Sequence, residues 1–282
     1  MAGDPVLWSQ VAGWLWDRRD DILGLVKTLT DWFGSSKAAD GSDRGILILG
    51  AGGVGKTTLA RILSGKFDWL LDEPWRYGES FGIERFSLKD DPKVQVVVPP
   101  GQTARREATW TDLLANISAG MYRGVILVSA YGYHSLRPES FKDHELFQGK
   151  KPDFLAALLE QHRKDELDIL NQLAPHLAAS NGKVWLLSLL TKEDLWADDR
   201  PEVENWLQAE YATRISGVAQ QKGTAHFRHE QVSASLVIGN YVTKQGEVLQ
   251  KNLAGYDHRR AVESLRRFLE VIDALRQWEN QK

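Results

Sequence analysis

Residues 46–64 read ILILGAGGVGKTTLARILS. Ile46 to Leu49 is a short apolar run of the kind that forms a strand covered on both faces, and a helix opens at Lys56 and runs to Ser64. Between them Gly50 to Thr57 spells GAGGVGKT, a complete G-x-x-x-x-G-K-[ST] lying between strand and helix start. The glycines let the backbone curl with its N–H groups pointing inward, because side chains there would block both the turn and the approach of phosphate oxygens. Lys56 is then placed to reach β- and γ-phosphates and the Thr57 hydroxyl to ligate Mg²⁺, with the positive end of the helix dipole behind them. Average residue usage puts such a motif into about one chain in a hundred of this length by accident. The expected phosphate-binding residues are Gly50, Ala51, Gly52, Gly53, Val54, Gly55, Lys56, Thr57 and Thr58.

Outward from this loop the chain alternates strands and helices. Phe81 to Leu88 and Lys93 to Val98 read as strands joined by Lys89-Asp90-Asp91-Pro92, Thr103 to Ala119 as a helix, and Gly124 to Ser129 as a buried strand. Pro152 to Ala179 reads as a long helix, Val184 to Leu190 as another buried strand, and Glu202 to Val218 as a helix. His226 to Ser233 is a last strand, with a hairpin expected around Gln245-Gly246, before a closing amphipathic helix from Asp257 to Trp278. This order predicts an α/β fold of three layers, with a mostly parallel central sheet between helices. Upstream, Pro5 to Phe33 has helical periodicity and Gly34 to Gly45 reads as a polar linker, so the expected division is 1–33 helical extension, 34–45 linker and 46–282 main domain.

The chain's 282 residues, 43% of them hydrophobic, suffice for one large α/β domain with additions. A formal charge of −3 supplies no global basic field, so no nucleic-acid partner is expected. There is no cysteine, which excludes disulfides, cysteine–zinc sites and thiol catalysis. No apolar run approaches a membrane span and Met1 to Leu7 lacks the features of a secretory signal, so a cytoplasmic location is expected. The N-terminal helix carries Trp8, Trp14, Trp16 and Trp32, but its acidic residues outnumber its basic ones. Packing on the main domain or a partner protein is therefore expected ahead of peripheral membrane contact. The histidines show no ligand spacing, Lys164 to Asp168 reads as a solvated helix face, and Arg105 and Arg106 read as solvated helix-start arginines.

Three downstream features bear on the nucleotide. After the strand ending at Leu190 comes Thr191-Lys192-Glu193-Asp194, which fits [NT]KxD. A carboxylate at Asp194 can accept from the N1–H and N2–H₂ edge of guanine, whereas adenine presents an acceptor at N1; Lys192 can lay its stem along the base. Past the next strand lies Ser233-Ala234-Ser235, with Ser233 and Ala234 as candidate base contacts, and Pro99-Pro100-Gly101-Gln102 directly follows Val94 to Val98.

With these motifs in this order, the chain resembles the Ras-like small GTPases, including the Arf branch, over roughly Gly45 to Glu279. The resemblance implies a P-loop G domain that takes GTP or GDP with Mg²⁺. Gly101 would put its N–H on the γ-phosphate, Gln102 would orient the attacking water, and Lys56 would neutralise charge during hydrolysis. It further implies a first switch within Lys66 to Phe81 that lends a hydroxyl to Mg²⁺, for which Ser80 is the candidate. Val98 departs from the family, which has an aspartate supporting Mg²⁺ there. The expectation is a Mg²⁺-dependent GTP switch with slow hydrolysis and a regulatory or effector protein as partner. One alternative is a nucleotide-sensing module that binds GTP or GDP with little turnover; another is an ATP-using P-loop ATPase, although neither Val94 to Val98 nor Val125 to Ser129 ends in the carboxylate such enzymes require.

Overall fold

Strand β1 (Gly45–Gly50) is buried along its whole length, as an apolar run without alternation requires of a strand covered on both faces. The computed structural model describes residues 45–66, 80, 82–89, 93–136 and 140–281. The phosphate loop carries β1 into helix α1 (Lys56–Leu63), and β2 (Glu84–Ser87), β3 (Gln95–Val98), α2 (Thr103–Ser118) and β4 (Tyr122–Ser129) follow. Next come the long α3 (Lys151–Ala178) and β5 (Val184–Thr191). A single helical turn, Glu193–Trp196, precedes α4 (Arg200–Trp206), a π-wound stretch (Leu207–Ala212) and α5 (Thr213–Lys222). Strand β6 (Phe227–Ala234), a hairpin of β7 (Tyr241–Val242) and β8 (Val248–Gln250), and α6 (His258–Glu279) complete the described chain.

The main sheet has the order β2-β3-β1-β4-β5-β6. All neighbours are parallel except β2, which runs antiparallel along β3 at the edge. This is a three-layer α/β arrangement, with the mostly parallel sheet expected from the alternating elements. β4 and β5, like β1, bury every residue, and their register sets Gly124 beside Trp185. A Cβ on Gly124 would lie 2.0 Å from the indole, so the missing side chain is what lets the buried tryptophan lie across the sheet. α6 presents Leu265, Phe268, Leu269, Ile272 and Leu275 on one face, three and four apart, and packs on β6 and β5.

Two expectations are corrected. The helix expected over Glu202 to Val218 is the middle of one longer helical path from Arg200 to Lys222, wound as a π-helix through Leu207–Ala212. The run Lys164 to Asp168 is not wholly solvated, because Glu166 is 1% exposed. The extension 1–33, residues 34–44 of the linker expected over 34–45 and most of the first-switch interval lie outside the described residues, while Gly45, expected to end that linker, opens β1.

Because β1, β3, β4 and β5 are parallel, their carboxyl ends lie along one edge of the sheet. The segments that leave those ends begin at Gly50, Val98, Ser129 and Thr191, and every motif singled out in the sequence is carried by one of them or by the end of β6.

Candidate nucleotide site

The phosphate loop depends on glycine where the chain turns left-handed, with φ of 76° at Gly53 and 99° at Gly55. Gly53 is also pressed against the segment after β4: Ser135 donates to its carbonyl from both backbone N (3.2 Å) and Oγ (3.1 Å). Ala51 and Val54 are buried and anchor the loop to the core, while Gly52, Thr57 and Thr58 are half-buried. Thr191, the first residue of the guanine-type motif, donates to Val54 O (2.8 Å) and Ser129 O (3.0 Å). It therefore fastens the loop Gly50 to Thr57 to the ends of β4 and β5, so that this loop and the segment Thr191 to Asp194 form one unit.

Lys56 is 7% exposed and donates to Ala51 O at 2.6 Å. Burial, aided by the nearby Arg106 charge and opposed by Glu84 and Asp165, lowers its pKa to about 7. Over it lies the segment Pro99 to Gln102, buried throughout. A Cβ on Gly101 would sit 2.3 Å from Lys56 Nζ and 2.4 Å from Gly50 O, so only glycine permits this approach to the phosphate loop. α2 holds the segment from behind: Arg106 donates to Gly101 O (2.9 Å), and Trp110 Nε1 to Pro100 O (3.0 Å). Arg106 is not the solvated arginine expected. It is 5% exposed, and its guanidinium also pairs with Asp165 on α3. Gln102 immediately precedes α2 and is 7% exposed.

At the head of α1 three oxygen-bearing side chains meet. Ser80 Oγ donates to Glu84 Oε1 (2.6 Å), and Thr57 Oγ1 lies 3.2 Å from Glu84 Oε2 and 3.4 Å from Ser80 Oγ. Arg105 Nη1 donates to Ser80 O at 2.8 Å. The two hydroxyls expected to serve Mg²⁺ are thus brought together, with a carboxylate that the sequence reading did not single out. Oxygen donors of this kind, a carboxylate among them, fit a hard cation. Val98 is fully buried and offers none.

At the base end, Asp194 is 1% exposed and its carboxylate is bonded twice: Ser235 Oγ donates to Oδ1 (2.7 Å) and Gly239 N to Oδ2 (3.0 Å). Burial raises its pKa, while these bonds pull the other way. The side chain that reaches Asp194 is therefore Ser235; Ser233 and Ala234 finish β6 in register with Leu190 and Thr191. Lys192 has left-handed backbone (φ 58°), its amine donates to Tyr133 O and lies 5.9 Å from the Tyr241 ring centroid, and burial lowers its pKa to about 8. The β7–β8 hairpin closes against these loops through Tyr241 OH to His134 O (2.9 Å), Tyr133 OH to Gln250 Oε1 (2.9 Å) and Gln250 Nε2 to Leu195 O (2.7 Å).

Behind the phosphate loop, Glu166 Oε1 accepts from Ala130 N (2.7 Å), Gly132 N (3.3 Å) and His134 Nε2 (2.9 Å). The His134 ring stacks on His162 at 4.2 Å, and His162 Nδ1 donates to Gly132 O (2.7 Å). This network shapes the segment that delivers Ser135 to Gly53. Burial first of all holds both imidazoles down at about 3 and pushes Glu166 up to about 7. Unfolded, a histidine takes its proton near pH 6.5. A depressed pKa means stability that is present above 6.5 and lost as pH falls toward 3; Glu166, raised, contributes in the opposite sense between 7 and 4.5. His162→Gln removes one proton from the acid limb. Urea unfolding of this variant should show a pH profile shallower than wild type by about 1.4 kcal/mol per pH unit between 6.5 and 3. Equal slopes would refute the burial argument.

No protein-family model matches the chain, and no curated protein matches it. Among solved structures it is similar to an ADP-ribosylation factor-like GTP-binding protein, the small COPII coat GTPase SAR1 of Encephalitozoon cuniculi, in complex with GDP. That match has 14% identity and a TM-score of 0.45, and covers 96% of this chain and 95% of that one. The signal recognition particle receptor SRb of Chaetomium thermophilum, in its GTP/SRX complex, gives 15% identity and a TM-score of 0.43 over 83% and 99% of the two chains. The GTPase-like domain of S. cerevisiae Ski7, bound to GTP, gives 16% identity and a TM-score of 0.36 over 80% and 50%.

Proposed function

We propose that the chain binds GTP and GDP and works as a nucleotide-dependent switch, with slow hydrolysis and a protein partner that reads the bound state. The observation that carries this reading is the bond pair from Thr191 to Val54 O and Ser129 O, which couples a complete phosphate loop to a carboxylate suited to guanine. In it, the curled backbone and Lys56 hold the phosphates, while Asp194 accepts from the guanine edge. The Gly101 N–H meets the γ-phosphate, and Gln102 orients water for in-line attack. Mg²⁺ would be held at Thr57 and Ser80, where it neutralises phosphate charge.

Val98 and the burial of Gln102 support a second reading, in which the protein senses guanine nucleotide and hardly turns it over. Titration with fluorescent GTP and ATP analogues tests the core claim: GTP should bind more tightly, and preference for ATP would overturn it. Phosphate release by wild type and Gln102→Ala then separates the two readings. Turnover that falls about 10²–10⁴-fold in the variant supports hydrolysis positioned by Gln102, whereas turnover that is undetectable, or unchanged by the substitution, supports the sensor.

A further inference from the structure

A Mg²⁺·nucleotide site at a phosphate loop is generally completed by a carboxylate from a strand beside the loop, since Mg²⁺ is usually bound through one or two carboxylates together with substrate phosphates. Here the strands flanking β1 end in Val98 and Ser129 and supply none. We propose that Glu84 is the carboxylate of this site, supplied across the sheet from β2. The inference rests on the nucleotide-binding reading above and names the acidic residue that serves its metal.

Register is the first ground. β2 runs antiparallel to β3 and pairs Glu84 directly with Val98. Residues directly opposite in an antiparallel pair project from the same face of the sheet, with their Cβ atoms about 5 Å apart. A carboxylate at 84 therefore rises on the face that an acidic residue at 98 would use, one strand farther out, and glutamate has the extra methylene to reach back. Contact is the second ground. The carboxylate meets Thr57, the hydroxyl residue at the head of α1, and Ser80, the candidate first-switch hydroxyl, at 3.2 and 2.6 Å. Three side chains from three chain segments thus aim oxygen at one spot beside the phosphate loop. Glu84 is half-buried, so the spot remains open to solvent and to a hydrated cation.

The test follows dissociation of a fluorescent GDP analogue from the full chain, in EDTA and across a Mg²⁺ titration, for wild type, Glu84→Gln and the double variant Glu84→Gln/Val98→Asp. Mg²⁺ should slow dissociation from wild type. In Glu84→Gln the Mg²⁺ concentration for half effect should rise about 10–100-fold, with dissociation in EDTA unchanged. Val98→Asp in that background should bring the half-effect concentration back toward wild type. Glu84→Ala, which likewise removes the carboxylate, supplies the same comparison if the glutamine variant does not fold. A wild-type Mg²⁺ response in Glu84→Gln overturns the proposal. So does equal weakening in EDTA and in Mg²⁺, the signature of a latch holding β2 to α1. Wild type that binds the analogue equally well with and without Mg²⁺ removes the metal site and leaves the nucleotide reading standing. Wild type that binds no analogue under either condition removes both.

Discussion

Lys56→Met should weaken nucleotide binding on the order of 10³-fold while leaving the nucleotide-free fold as stable as wild type or more so. Among the described residues the amine donates to Ala51 O at 2.6 Å, and it is 7% exposed beneath Gly101. An ammonium so enclosed is under-solvated, and its lowered pKa of about 7 expresses the cost. Phosphate oxygens would restore the missing partners through charge-assisted bonds, worth about 1.5–3 kcal/mol each. Loss of several such bonds corresponds to an affinity drop on the order of 10³-fold. Methionine keeps the length and packing of the stem without the charge. The sign of the stability effect follows from linkage: a depressed lysine pKa takes stability away as pH falls from 10.5 through 7, and the variant is relieved of that loss. Calorimetric binding of GDP, with thermal unfolding of both proteins at pH 6.5, checks the two halves. Retained binding, or a variant several degrees less stable than wild type, would refute the assignment.

Asp194→Asn is expected to lower GTP affinity on the order of 10³-fold, because a site built to accept two guanine donors rejects a mismatch strongly. The carboxylate now accepts from Ser235 Oγ and Gly239 N. Guanine must take over the Gly239 bond at Oδ2, so an amide nitrogen there would face the exocyclic amine donor to donor. Xanthine carries a carbonyl at that position, and the same variant should prefer the xanthine nucleotide. Competition of GTP, XTP and ATP against one fluorescent probe measures all three. Unchanged GTP affinity would mean that the base does not meet this carboxylate.

The parts of the site that share one short stretch of chain were legible as sequence. The phosphate loop is contiguous, its glycines answer local backbone demands, and its flanking strand and helix have unmistakable periodicity. The loop Pro99 to Gln102 was likewise found from its own residues, and the structure sets Gly101 against Lys56 and Gly50. What escaped were pairings between distant segments. Glu166 lay within a charged run on a helix that seemed solvated, because nothing local announces that the turn after β4 needs its N–H groups capped. Arg106 read as a surface residue until α2 was seen to hold Pro99 to Gln102 from behind. Ser233-Ala234-Ser235 was picked out for base contacts at Ser233 and Ala234; that the Ser235 hydroxyl faces Asp194 depends on where β6 ends, and strand ends are poorly marked in sequence.

Glu84 marks the boundary most clearly. By itself the sequence determined that a complete G-x-x-x-x-G-K-[ST] lies between a strand and a helix, and that the strand before Pro99 ends in Val98, matters of residue type and period along one line; an acidic residue at 98 is what the family resemblance implies. Only the tertiary structure decided where a replacement comes from. The antiparallel register of β2 on β3 pairs Glu84 with Val98, and register depends on how two strands separated by a turn align against a common core.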